Sequence, residues 1–224
     1  TMPNDIAKLA ATLLKDPERV EVTPESTTVE KIEQKAHFVA KANKTLLLQE
    51  ILKDSSIKSM LVFTRTKHGA DKVVKKLAQA DINAAAIHGN KSQNNRERAL
   101  SNFKAQKTRV LVATDIAARG IDIPEVSHVI NFNPPEDPKS YVHRIGRTAR
   151  AGREGAAILF CDENETGYLK DIEKLIKQPI PVDKNQPYHE ELKLSAAPQP
   201  DKKRAAKKKP SQSKKARRRR SFRG

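Results

Sequence analysis

Between residues 59 and 177 the chain alternates short apolar runs with stretches of helical periodicity, and this alternation limits the fold more than any other feature. The runs are SMLVFT (59–64), AAAIHG (84–89), VLVAT (110–114), HVINF (128–132) and GAAILF (155–160). Helical patterns occupy 67–80, 93–104, 138–148 and 164–177, and a glycine-containing loop follows VLVAT. Runs apolar throughout, rather than alternately, belong to strands covered on both faces, hence to a parallel sheet. Right-handed crossovers then wind helices onto both sides, and the expected fold is α/β with a doubly wound parallel sheet. Ligands of such sheets bind beyond the carboxyl ends of the strands. The loops after Thr64, His88, Thr114 and Phe132 are therefore the ones to search.

Before this region, Ile6, Leu9, Leu13 and Leu14 recur at helical spacing over 3–15, KIEQKAHFVA (31–40) is strand-like, and KTLLLQEILKD is helical. The chain opens abruptly on a helix-start pattern, which points to a piece of a longer protein. After Gln178 the pattern stops. The remainder is rich in Pro, Lys, Arg and Ser, too poor in large apolar residues to offset its ordering entropy, and is expected to be disordered from about residue 184. The expected organisation is one domain over 1–183 and a basic tail over 184–224.

Charge is distributed with the same asymmetry. The chain has 44 Lys and Arg against 27 Asp and Glu, a net of +17. Residues 196–224 hold 13 basic residues and one acidic, +12; the rest holds 31 and 26, +5. A tail of this kind implies a polyanionic partner, most often nucleic acid. The single cysteine, Cys161, lies in an apolar run and permits no internal disulfide, which fits a reducing cytoplasm. No apolar run approaches the ~18 residues of a membrane span, and the first residues do not form a signal peptide.

Four segments carry candidate chemistry. In VFTRTK, Thr64, Arg65 and Thr66 follow a strand and lead into a helix, where hydroxyls and N–H groups favour an anion, although Thr66 can equally be a plain cap. In IHGNKSQNNRERAL, Gly89 directly follows a strand, and Gln93 and Arg96 share a helix face; a loop glycine and a solvated charged face explain these as well. In VLVATDIAARGIDIP, Thr114 can donate to a phosphate and Asp122, beside Gly120, can accept from a sugar hydroxyl, although a lone Asp in a loop is more often a turn former. In HRIGRTARAG, Arg144, Arg147 and Arg150 recur every three residues behind His143 and would form a ridge on one helix. Nearby acids are few, so the ridge is short of counter-ions, and the planar guanidinium suits phosphate.

Taken in this order, LVFTRTK, HGNKSQNNR, VLVATDIAARGID and HRIGRTARAG resemble motif IV, the Gln-x-x-Arg element, motif V and motif VI of the second RecA-like domain of DEAD-box RNA helicases. The resemblance runs from residue 1 to about 182, and the opening TMP resembles the end of the motif that closes the family's first domain. The compact core and basic tail resemble the bacterial RhlE-type branch. The resemblance implies roles at single positions. Arg147 and Arg150 would reach the γ-phosphate of ATP, Arg150 as the arginine finger, with Gly120 and Asp122 at the ribose. His143 and Arg144 would couple the nucleotide site to the first domain. Thr64, Arg65, Gly89, Gln93, Arg96 and Thr114 would touch the RNA backbone.

The chain contains no G-x-x-x-x-G-K-[ST] and no Asp-Glu-Ala-Asp. ATP and its Mg2+ would be held mainly by an N-terminal RecA-like domain, which also closes on the RNA. An arginine finger without a P-loop stabilises nothing alone, so the chain by itself is expected to be inactive as an ATPase. No metal ligands stand out. Aromatics are only 4% of the chain and the candidate RNA loops hold none beyond Phe63, so phosphate and 2′-hydroxyl contacts, with little sequence preference, are expected over base stacking. A monomer is expected. A stand-alone RNA-binding or scaffold module without enzymatic role is the competing assignment; it has no need of nucleotide-facing groups such as Asp122, Arg147 and Arg150.

Overall fold

The structure is a computed structural model that describes residues 4–15, 32–118, 121, 123, 126–149 and 155–192. Six strands, β1 (Ile32–Phe38), β2 (Met60–Phe63), β3 (Ala84–Ile87), β4 (Val110–Ala113), β5 (His128–Asn131) and β6 (Gly155–Cys161), form one sheet in the order β1-β6-β5-β2-β4-β3. Every pairing is parallel, as the unbroken apolar runs require. The helices are α1 (Asn4–Leu13), α2 (Lys44–Ile51), α3 (Lys67–Ala78), α4 (Gln93–Lys104), α5 (Asp115–Ala118), α6 (Pro138–Ile145) and α7 (Thr166–Ile176).

Successive side chains of a strand point to opposite faces, and the core divides accordingly. Met60, Val62, Val110, Val112, Ile130 and Phe160 join Leu47 of α2 and Val73 and Leu77 of α3 on one face. On the other, Leu61, Phe63, Leu111 and Val129 meet Phe103 of α4, while Ala157 and Leu159 meet Tyr141 and Ile145 of α6 and Leu169 and Ile172 of α7.

Two local departures from the sequence pattern have physical causes. The segment after β4 begins with a helical turn, α5, rather than an open loop, because the Thr114 carbonyl accepts from the N–H groups of Ala117 and Ala118. Residues 184–192, placed in the tail by composition, are instead docked on the sheet. Ala36 N–H donates to Pro181 O and Asp183 N–H to Ala36 O, extending the sheet past β1. The Gln186 amide and the Glu190 N–H both donate to Phe38 O, Tyr188 packs on one core cluster and Leu192 on another. Single residues spaced along a polar segment hold it in place, and composition averages them away. Residues 193–224 lie outside the described set.

Candidate nucleotide and nucleic-acid site

The carboxyl ends of β2, β4 and β5 converge on Arg144. Its side chain is only 2% exposed. The guanidinium donates to both oxygens of Asp115, at 2.6 and 2.7 Å, to Asn131 Oδ1 at 3.0 Å and to the Asn133 carbonyl at 2.9 Å. It also lies over the Phe63 ring, 5.1 Å from the centroid. One arginine therefore ties the loop after β4 to the ends of β2 and β5. Its planar fork suits this task, because it meets both carboxylate oxygens at once.

This geometry corrects the expected ridge of three arginines. Helix α6 ends at Ile145, and Gly146 caps it. Arg147 follows in the turn rather than one helical step along the same face, and Arg150 lies outside the described residues. Nor is the ridge short of counter-ions at Arg144. Asp115 neutralises it from 29 residues away, a pairing invisible to a count of nearby acids.

Beside this clasp, Phe63, Asp115, Ala118, His143, Arg144 and Arg147 surround a cleft of about 30 Å³. The volume holds little more than one water, so these residues form a wall rather than a complete ligand pocket. His143 and Arg147, both half-buried, line it. The Arg147 backbone is fixed by its carbonyl, which accepts from Val126 N–H at 3.1 Å. Thr148, fully buried, donates its hydroxyl to Val126 O at 2.5 Å. Gly120 and Asp122 fall outside the described residues.

The residues expected to face RNA sit at neighbouring strand ends. Thr64 is buried and its hydroxyl donates to Thr66 O at 3.2 Å, while Thr66 caps α3 by accepting from Gly69 N–H. Thr114 is half-buried at the start of α5. Gly89 is exposed, and a Cβ there would meet nothing within 4 Å, so the fold itself does not require glycine. Gln93 and Arg96 lie on the first turn of α4, where Arg96 donates to Gln93 Oε1 at 3.2 Å and Gln93 to Glu97 at 2.7 Å.

Arg65 is placed differently. Its guanidinium turns inward, donating to Glu165 Oε1 at 3.1 Å and lying over Tyr168 at 5.1 Å. Glu165 also accepts from Asn133 at 2.9 Å and from fully buried Lys44, which lies 3.3 Å from Asp162 as well. This buried charge cluster was missed in the sequence. Lys44 and Glu165 are 121 residues apart, and neither has a local signature; an isolated lysine at a helix start reads as solvated.

The chain is similar to known proteins over most of its length. The family described as the helicase conserved C-terminal domain matches residues 43–152. The DEAD-box ATP-dependent RNA helicase CshA of Bacillus cereus is 42% identical over 180 residues, which are 80% of this chain and 34% of that protein. The ATP-dependent RNA helicase RhlB of Psychromonas ingrahamii is 40% identical over 188 residues, 83% of this chain and 45% of that one. The chain thus spans less than half the length of these relatives. The E. coli DEAD-box protein SrmB, solved bound to regulator of ribonuclease activity A, aligns with a TM-score of 0.69 at 36% identity, covering 76% of this chain and 99% of that chain. S. cerevisiae Dbp5 bound to RNA and ADP BeF3 aligns with a TM-score of 0.70 at 31% identity, over 81% and 49% of the two chains.

Proposed function

Because the chain belongs to the C-terminal helicase domains of the DEAD-box family, we propose that it is the C-terminal half of an ATP-dependent RNA helicase that opens short RNA duplexes locally. The observation that carries this is that His143 and Arg147 line one open wall together with Phe63, at the end of β2, and Asp115, just past β4, near the strand ends that bear Thr64 and Thr114. A wall of this size is half a site, and the other half is a preceding RecA-like domain. Helix α1 supports that partner. Ile6, Leu9, Leu13 and Leu14 are all exposed, at spacings that leave one apolar face uncovered among the described residues.

In the proposed closed state, ATP lies between the two domains. The bound nucleotide supplies the γ-phosphate and the Mg2+, the ion being held by the preceding domain. Among the described residues here, no group of three or more His, Cys, Asp or Glu could hold a metal. Arg147 and Arg150 would donate to the γ-phosphate oxygens, Asp122 and Gly120 would meet the ribose, and His143 would contact the preceding domain. Arg144 would couple the sites indirectly: it holds Asp115, and Asp115 begins the segment that continues to Asp122. Gln93, Arg96, Gly89 and Thr114 would follow the RNA backbone, with Arg65 and the buried Thr64, whose hydroxyl is bonded to Thr66 O, fixing their loop from behind. Each ligand favours closure, so ATP and RNA bind cooperatively.

Finer assignments rest on the sequence. The compact core and basic tail support the RhlE-type branch by resemblance, and the tail would give RNA an electrostatic anchor. A cytoplasmic monomer fits the composition, and no described helix is long and apolar enough to cross a membrane. The decisive experiment supplies the preceding domain in trans. RNA-stimulated ATP turnover should appear only with both parts present and vanish in Arg150→Ala; turnover by this chain alone, or persistence in Arg150→Ala, refutes the assignment. Removing residues 202–224 should weaken RNA affinity and flatten its salt dependence by about 0.7 log unit for each phosphate that the tail had neutralised.

A further inference from the structure

The two edges of the sheet are treated differently. At β1 the chain covers its own edge: Pro181 and Asp183 bond to Ala36, and residues to 192 pack beyond. At β3 no described segment does the same. Val110 N–H donates to Asn83 O and Thr114 N–H to Ile87 O, so Asn83, Ala85 and Ile87 direct their backbone groups to β4. By the period of two, the N–H and C=O of Ala84 and Ala86 point away from the sheet. Open edges of this kind are templates for another strand.

Next to this edge lies a cleft of about 370 Å³, between β3 and α4. Ala84, Ala85 and Ala86 line it; Ala85 turns its small side chain to the α4 face and leaves room there, while Ala84 and Ala86 turn to the opposite face. Its walls are Asn83, Asn95, Asn102, Lys91 and Arg98, with no carboxylate among the lining residues. Lys91 is paired with Asp71 at 2.9 Å. Arg98 donates to the neutral Asn95 amide at 3.5 Å, so its charge is uncompensated by that contact. The cleft is therefore positive, amide-rich and bounded by main-chain donors and acceptors in alternation.

We propose that this edge and cleft dock an extended acidic peptide segment of a partner protein, added beside β3 as a seventh strand. Alternating backbone donors and acceptors are what a peptide strand satisfies and a phosphate does not, since outward carbonyls repel an anion. Asparagine side chains suit the peptide's exposed amides, and Arg98 suits a carboxylate side chain. The chain's own tail is excluded as occupant by its sign, with 13 basic residues and one acidic over 196–224. The site lies off the wall that bears His143 and Arg147, so occupancy leaves the proposed nucleotide site free.

The test titrates the 15N-labelled 224-residue chain with an eight-residue peptide of alternating Glu and Val. The amide resonances of Ala84, Ala86, Asn95 and Arg98 should shift saturably. Peptide captured by the basic tail moves none of these. N-methylation of alternate peptide residues should weaken binding about tenfold or more, because at least two main-chain hydrogen bonds are removed. Arg98→Glu should weaken it about fivefold or more without changing the melting temperature, Arg98 being exposed. Static amides at β3, indifference to N-methylation, or displacement of those resonances by oligouridylate but not by the peptide would each overturn the proposal, the last by assigning the edge to nucleic acid.

Discussion

Replacing Arg144 by methionine keeps most of the side-chain volume and removes every polar contact of the guanidinium. Asp115 then loses both charge-assisted bonds, Asn131 Oδ1 loses its donor, and the Asn133 carbonyl loses another. Asn131 is fully buried and its Nδ2 already has no partner, so water cannot repair that side. Breaking a buried ion pair by removing one member costs about 3–5 kcal/mol. Asp115 keeps 32% of its side-chain exposure and regains some hydration, which places the loss near the lower end, about 3 kcal/mol. For a chain of this size that corresponds to a fall of about 6–12 °C in melting temperature. Urea unfolding followed by far-UV circular dichroism should show a lower midpoint at constant slope. A double-mutant cycle with Asp115→Ala should return a coupling of about 2 kcal/mol. A loss or coupling below about 0.5 kcal/mol would mean that the clasp does not hold the strand ends together, and the indirect coupling assigned to Arg144 would fall with it.

Three further outcomes are expected. Gly155→Ala places a Cβ 2.0 Å from Thr148 Oγ1 and 2.7 Å from Ala149 N; the turn carrying Arg147 must shift, costing about 1–3 kcal/mol, and a melting temperature equal to the parent's would refute the close packing. The Cys161 thiol is pushed up to about 12, chiefly by burial and further by Glu165, so the native chain should resist a thiol-specific disulfide reagent at pH 8 and react fully in denaturant; rapid native labelling would contradict this. Burial holds the His37 imidazole below its ordinary value of 6.5, against the opposing pull of Asp183. The folded chain then binds fewer protons than the unfolded one, so this contribution is complete above about pH 6.5 and declines as pH falls through that value. His37→Phe should flatten the dependence of stability on pH between about 7 and 5.5, and an unaltered slope would exclude His37 as its source.

The sequence by itself determined the strands, their parallel pairing and the loops at their carboxyl ends. Those features depend on local period: β4 is VLVA because both its faces are buried, and β6 ends on Cys161 for the same reason. Of the residues singled out in the sequence, Thr114 and Gln93 follow the carboxyl ends of β4 and β3, whereas the Arg147 backbone bonds Val126, just before β5. Whether each singled-out side chain faces outward was decided only by tertiary structure. Arg144 and Arg65 look alike in the sequence to an arginine awaiting phosphate. Folding brings Asp115 and Glu165 to them from 29 and 100 residues away and turns both inward. The docking of residues 184–192 and the open edge at β3 are of the same kind. Both depend on which strand lies at which margin of the sheet, and strand order is set by how crossovers pack in three dimensions, not by the period of any one segment.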